Sequence, residues 1–68
     1  IRVNAIAPGA VKTEMTAGYS EDKMKKIIAE TALHRMGDTI DIANVVLFLC
    51  SKEASFINGQ VIKVDGGR

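Results

Sequence analysis

The hydrophobic pattern predicts a β-strand near each end of the chain. From Ile1 to Ala7 every odd position is apolar, and this period of two is typical of a strand. Pro8 and Gly9 should end this strand, because proline cannot donate to a sheet and glycine permits a sharp turn. The second predicted strand, Gln60 to Asp65, also runs into glycines. We expect both strands to be buried.

A helix is predicted after the first strand, with Ser20 as its N-cap and acidic residues in its first turn. The residues before Ser20 form a loop or a short helix. Lys26 and Glu30 are spaced to form an ion pair on the exposed side of the helix. The opposite side carries a stripe of apolar residues that we expect to be buried: Met24, Ile27, Ile28 and Leu33.

A second helix is predicted from about Ile40 to Ser51, after a break at Gly37 and with Thr39 as its cap. Between Ile42 and Cys50 this helix has no charged residue, and apolar side chains cover most of its circumference. Leaving half of them in water, at about 1.5–3 kcal/mol each, would cost about as much as the 5–15 kcal/mol that typically stabilise a whole domain. We therefore expect the chain not to fold alone.

The order of these elements predicts an α/β fold. About fifty residues separate the two strands, which is far too long for a hairpin, so their pairing should be parallel through a helical crossover. Two strands do not make an independent sheet. The chain begins at Ile1, already inside a strand pattern, which indicates a fragment of a larger domain with no domain boundary inside residues 1–68.

Composition narrows the class of protein. The chain has 68 residues, of which 47% are hydrophobic and 25% charged, and its net charge is +1. These values are typical of globular domains, and near-neutrality argues against a nucleic acid or a membrane as a partner. The single cysteine, Cys50, cannot form an internal disulfide and has no partner at metal-ligand spacing, so we predict no metal site and a reducing, cytoplasmic location.

Three ordered segments carry a family resemblance over nearly the whole chain: IRVNAIAPGAVKTEM, HRMGDTIDIANVVLFLCSKEASFINGQ and VIKVDGG. The series resembles the carboxy-terminal part of the short-chain dehydrogenases/reductases, and within them it is most similar to the β-ketoacyl-acyl carrier protein reductases. The implied fold is the C-terminal fragment (strand, two helices, strand) of a Rossmann-type doubly wound parallel sheet.

The resemblance also implies a cofactor site for NADPH or NADH. The segment that matches Pro8, Gly9 and Val11 runs beside the nicotinamide in the family. There the backbone of the residue matching Val11 contacts the carboxamide, and the residue matching Thr13 supplies a hydroxyl. This agrees with the general rule that open parallel sheets bind ligands beyond the carboxyl ends of their strands. Met15 matches the mobile segment that closes over the substrate, so it lines an acyl pocket or simply packs.

No catalytic residue is assigned within this chain. Tyr19 and Lys23 have the Y-x-x-x-K spacing of the family's catalytic pair, but that pair lies upstream of the first strand here, so we interpret Tyr19 as an ordinary lid residue. His34 has no nucleophile partner and is interpreted as a solvated residue at a helix end. Two positions depart from the family pattern: Thr39 replaces a frequent proline, and Asn58 replaces the usual threonine.

The implied activity is NAD(P)-dependent reduction of a 3-oxoacyl thioester on acyl carrier protein to the 3-hydroxyacyl form in fatty acid synthesis. Another short-chain dehydrogenase acting on a sugar, a steroid or an alcohol is an alternative. So is a non-catalytic fragment that acts only in subunit association. The resemblance further implies a homotetramer assembled through the second helix and the last strand. Residues that distinguish NADH from NADPH lie outside the chain, and the acyl chain length is equally open.

Overall fold

The computed structural model describes all 68 residues, and it contains two strands and three helices. A 3₁₀ turn at Lys52–Ala54 precedes the second strand. No helix has the length and apolar character needed to cross a membrane. In chain order the elements are β1 (Ala5–Pro8), α1 (Glu14–Ala17), α2 (Glu21–Glu30), α3 (Thr39–Cys50) and β2 (Val61–Val64).

The two strands pair in parallel, as the long crossover predicts. Ala5 lies opposite Val61 and Pro8 opposite Val64. Backbone hydrogen bonds extend the pair at both ends: Ala5 N–H donates to the Gln60 carbonyl over 2.8 Å, and Gly9 N–H donates to the Val64 carbonyl over 3.0 Å. The predicted α/β architecture with parallel strands is therefore confirmed.

Both strands are shorter than predicted, because side chains replace the sheet ladder before β1. The Asn58 side-chain oxygen accepts from Val3 N–H over 2.9 Å. Asn4 donates to the Ile57 carbonyl over 3.1 Å and accepts from Gln60 N–H over 3.0 Å. Asn58 thus helps Asn4 to hold the two chain segments together.

Two helices follow β1, of which α1 is a single turn. Ser20 caps α2 as predicted, since its hydroxyl accepts from Lys23 N–H over 3.2 Å. Two predictions for this helix are wrong. Leu33 is exposed because α2 ends at Glu30, and Glu30 pairs with Arg68 over 3.0 Å rather than with Lys26.

The predicted cap of the third helix is also wrong by one residue. Asp38, not Thr39, is the N-cap of α3, and its backbone N–H donates to the Asp41 carboxylate over 2.8 Å. His34 is exposed as predicted, but it lies in the turn between α2 and α3 rather than on a helix. Its φ of 55° is in the left-handed region, which His tolerates better than most residues with a Cβ.

Little of the chain is buried within its own fold. Only Ile27, Thr31, Met36, Leu49 and Ala54 are buried. The accessible surface is 5230 Å², against about 4,200 Å² for a compact monomer of this mass. The radius of gyration is 13.9 Å, against about 11 Å for a compact chain of this length. The expectation of buried strands is wrong for this chain by itself, since Val61 in β2 is 68% exposed.

Candidate functional site

All five predicted site residues lie on one cleft of about 550 Å³ beside the carboxyl end of β1. The structure therefore brings together the residues that the resemblance assigns to the cofactor and to the substrate. The walls are mostly apolar, with hydroxyl groups between them. The lining residues are Pro8, Gly9, Ala10, Val11, Thr13, Met15, Thr16, Tyr19, Thr39, Ile42 and Ala43.

The floor of the cleft is the segment Gly9 to Thr13, which we call the clamped loop. Gly37 pairs with it through two backbone hydrogen bonds: its N–H donates to the Ala10 carbonyl over 2.9 Å, and its carbonyl accepts from Lys12 N–H over 2.8 Å. These bonds form an isolated parallel bridge between Val11 and Gly37. The N–H of Val11 itself has no hydrogen-bond partner in the chain. It is a fixed backbone donor on a residue that lines the cleft.

Thr16 holds the other end of the clamped loop through hydrogen bonds of its hydroxyl group. No role was predicted for Thr16 from the sequence. Its hydroxyl accepts from Thr13 N–H over 2.9 Å and lies 3.0 Å from the carbonyl oxygens of Val11 and Thr13. The Thr-x-x-Thr spacing at the start of a helix is the signal that could have identified it, because it resembles a capping box.

Gly9 lets the ends of the two strands approach closely. A Cβ at Gly9 would lie 2.6 Å from the Asp65 Cβ and 2.7 Å from the Asp65 Cα. The turn after β2 is equally tight, because Gly66 has a φ of 65° and its carbonyl oxygen accepts a hydrogen bond from Leu33 N–H over 3.0 Å. The glycines therefore connect the base of the cleft to the turn that follows α2.

Arg35 and Asp41 form an ion pair next to the clamped loop, which the sequence reasoning also missed. The guanidinium donates to the Asp41 carboxylate over 3.0 and 3.5 Å, and to the Met36 carbonyl over 3.1 Å. The hydrogen bond from Arg35 holds the pKa of Asp41 below its ordinary value, with a further contribution from Asp38 N–H. The same bond to Asp41 raises the pKa of Arg35.

The α1 side of the cleft carries Met15 and Tyr19. Met15 is 85% exposed, so its side chain is free to contact a ligand. The Lys23 ammonium lies 3.8 Å from the centroid of the Tyr19 ring. Lys23 therefore contacts the face of the ring, a cation–π contact that joins Tyr19 to α2.

The cleft combines apolar surface with a small number of hydrogen-bonding groups. It offers a rigid backbone donor at Val11, an exposed hydroxyl at Thr13 and apolar walls. Backbone groups held in this way recognise a ligand without reorganisation. The residues around the cleft include no nucleophile hydrogen-bonded to a base. The arrangement can bind and orient a ligand, and the assignment of Pro8, Gly9, Val11, Thr13 and Met15 stays a prediction.

Comparison with protein families places the whole chain in one of them. A family model described as enoyl-(acyl carrier protein) reductase matches residues 1–68. Among curated proteins, the 3-oxoacyl-[acyl-carrier-protein] reductase FabG of Aquifex aeolicus is 51% identical over 67 residues, which are 98% of this chain and 27% of that protein. The chain thus spans about a quarter of the length of the curated relatives that it matches.

Solved structures agree with the sequence comparison. A 3-oxoacyl-[acyl-carrier protein] reductase from Brucella melitensis superposes with a TM-score of 0.94 at 41% identity, over 97% of this chain and 25% of that one. A 7 alpha-hydroxysteroid dehydrogenase complexed with NADH and 7-oxo glycochenodeoxycholic acid gives a TM-score of 0.91 at 43% identity, over 97% and 26%.

Proposed function

This chain belongs to the short-chain dehydrogenases/reductases, a family of oxidoreductases, and from that premise we propose that it forms the nicotinamide side of an NAD(P)-dependent reductase. The observation that carries this proposal is the unpartnered N–H of Val11 on the cleft at the end of β1. The complex of a similar dehydrogenase with NADH supports it.

The chain's own residues would hold and orient the cofactor. Val11 N–H would donate to the carboxamide oxygen, and Thr13 would present its hydroxyl to the carboxamide or the pyrophosphate. Pro8 and Gly9 would contact the ring, where backbone can approach closely. The bound nicotinamide would supply the hydride. The chain contributes no acid of its own, so the proton would come from a residue elsewhere in the protein.

The proposed substrate is a 3-oxoacyl thioester on acyl carrier protein, reduced to the 3-hydroxyacyl form in fatty acid synthesis. Two 3-oxoacyl reductases among the similar proteins support this choice. Met15, exposed on the α1 side of the cleft, would contact the acyl chain. A cytoplasmic location is part of the proposal.

A steroid is the second candidate substrate. The similar 7 alpha-hydroxysteroid dehydrogenase was solved in complex with NADH and a steroid. It is 43% identical to this chain, slightly above the 41% identity of the Brucella reductase. Identity over this chain therefore does not separate the two substrate classes. Sugars and small alcohols remain alternatives within the family.

We propose a homotetramer that assembles through the end of α3 and through β2. Leu47 and Val61 are both 68% exposed, and Phe48 is 48% exposed, which leaves apolar surface to be covered. A role in subunit association alone, without catalysis, is the alternative that this surface would also support.

The test uses the intact protein that contains this chain. Oxidation of NADPH and of NADH is followed at 340 nm with a 3-oxoacyl thioester, and separately with a 7-oxo steroid. We expect turnover of the thioester with a higher kcat/KM than that of the steroid. Turnover of the steroid alone would move the protein to the second substrate class. Binding of neither cofactor would refute the oxidoreductase proposal and leave the association role.

A further inference from the structure

The position of the Val11 donor depends on Gly37, which pairs with the clamped loop from outside the cleft. Gly37 makes one hydrogen bond to the residue before Val11 and one to the residue after it. Val11 N–H therefore has a fixed direction only as long as Gly37 is fixed. Gly37 lies in an irregular turn between α2 and α3, so neither helix holds it through its own ladder.

Arg35 binds the chain on both sides of Gly37. Before Gly37, the guanidinium donates to the Met36 carbonyl over 3.1 Å. After Gly37, it holds the Asp41 carboxylate over 3.0 Å, and that carboxylate accepts from Asp38 N–H over 2.8 Å. Both peptide units that flank Gly37 are thus tied to one guanidinium, directly or through Asp41.

Burial of Met36 adds a second restraint that limits where the turn can move. Met36 is 2% exposed and anchors the turn in the interior of the fold, while Arg35 lies in solvent on the outside. Two restraints of different kind therefore act on the turn. The buried Met36 side chain keeps the turn packed against the interior. The Arg35 guanidinium sets the orientation of the peptide groups in the turn, which a planar bidentate group does better than a point charge.

We propose that Arg35 is a positioning residue for the nicotinamide, and that it acts through Gly37 on the backbone N–H of Val11. This inference rests on the function proposed above. Arg35 is not expected to touch the cofactor. Its effect should be confined to the nicotinamide end, because Gly37 bonds only to Ala10 and Lys12 on either side of Val11. Thr13, the loop residue proposed to reach the carboxamide or the pyrophosphate, is held by Thr16 instead.

The test compares two ligands on the intact reductase. One is the reduced cofactor. The other is ADP-ribose, or its 2′-phosphate if the protein prefers NADPH, which lacks the nicotinamide. We expect Arg35→Gln to raise the dissociation constant of the reduced cofactor about threefold to tenfold, the equivalent of one lost or misdirected hydrogen bond. The dissociation constant of ADP-ribose should not change. Arg35→Lys should fall between Arg35→Gln and the wild type.

Arg68→Gln is the matched control. Arg68 also forms an exposed ion pair over 3.0 Å, with Glu30, but it makes no hydrogen bond to Gly37 or to the clamped loop. Its removal should leave the affinity for both ligands unchanged. Binding is measured by fluorescence titration, and the melting temperature of each variant is recorded beside it.

The possible results separate this inference from the proposed function. An equal loss of affinity for both ligands in Arg35→Gln, or no loss for either, would reduce Arg35 to a structural residue and overturn the inference. A wild-type protein that binds neither ligand would instead overturn the proposed function. If Arg35→Gln does not fold, Asp41→Asn replaces it as the test variant. Asp41→Asn keeps an oxygen that can accept from Asp38 N–H but weakens the bond to Arg35, so it should lower the affinity for the reduced cofactor alone.

Discussion

The clamped loop and the outer side of α3 differ in how far this chain determines them. The clamped loop is fixed by bonds from inside the chain, namely the two from Gly37 and those at Thr16. On α3, by contrast, Leu47 is 68% exposed, Ile40 58% and Phe48 48%. The difference indicates that contacts within the chain fix the geometry of the site, whereas the outer side of α3 lacks such contacts. We expect surfaces elsewhere in the intact protein to cover α3 and to supply the remaining stability.

The largest loss of stability is expected from a substitution on the outer side of α3, which this chain leaves exposed. If Leu47 is covered in the intact protein, Leu47→Ala should lower its free energy of unfolding by about 2–5 kcal/mol, as for a buried leucine. Chemical denaturation measures this change. Lys25→Ala on the wet side of α2 is the control, expected to change stability by less than about 0.5 kcal/mol. A Leu47 effect as small as that of the control would mean that α3 stays exposed and that the contrast between the regions is wrong.

The second-largest loss of stability is expected from a substitution at Gly9, where the clamped loop meets β2. Gly9→Ala places a Cβ 2.6 Å from the Asp65 Cβ, so the strand ends must separate. We expect a loss of about 1–3 kcal/mol in stability, as for other overpacked sites, and weaker cofactor binding. Thermal unfolding and cofactor titration check both.

Gly18→Ala is the matched control for this substitution. A Cβ at Gly18 would meet nothing within 4 Å, and its φ of −83° suits alanine. It should be neutral or slightly stabilising, by about 0.4–1 kcal/mol. If the two alanine variants behaved alike, the close approach of Gly9 to Asp65 would not matter for the site.

Local sequence patterns predicted the elements of the fold but not the ends of the strands. The alternation before Pro8, the N-cap at Ser20 and the uncharged stretch in α3 are local patterns, and each identified its element. The strand ends were misplaced because Asn4 and Asn58 substitute side-chain hydrogen bonds for the ladder. The replacement of ladder bonds by side-chain hydrogen bonds leaves no periodic pattern in the sequence that could predict it.

The site was predicted in part, and the missing part has a physical reason. The residues of the cleft follow a strand end, where a ligand is expected in a parallel sheet. Arg35, Asp41 and Gly37 act through a turn whose path depends on the packing of Met36. Their roles follow from three-dimensional contacts between residues of an irregular segment. Spacing along the chain carries no such signal.

The smallest expected effect is a pH dependence of the Arg35–Asp41 pair. The pair holds the pKa of Asp41 below its ordinary value of about 3.9. The pair therefore contributes its full stability above that value, and the contribution is lost as the pH falls through the lower folded-state pKa. Arg35 and Asp38 are the charged groups around Asp41, and Lys12 lies 3.9 Å from Asp38.

Thermal unfolding of the wild type and of Asp41→Asn between pH 2 and 7 measures this contribution. We expect the wild type to melt higher at pH 7 and the difference to shrink below about pH 4. Because the Arg35 side chain is exposed and that of Asp41 is partly exposed, 1 M salt should reduce the difference at pH 7 as well. A difference that is constant over the whole pH range would mean that the carboxylate charge contributes nothing to the clamp.

The most direct test of the account is a structure of the intact protein with its reduced cofactor bound. We predict that the carboxamide oxygen of the nicotinamide lies about 2.7–3.2 Å from the backbone nitrogen of Val11, with Gly37 still paired to Ala10 and Lys12. A nicotinamide bound elsewhere, or a Val11 N–H that donates to another protein group in that complex, would contradict the assignment of this chain as the nicotinamide side of the site.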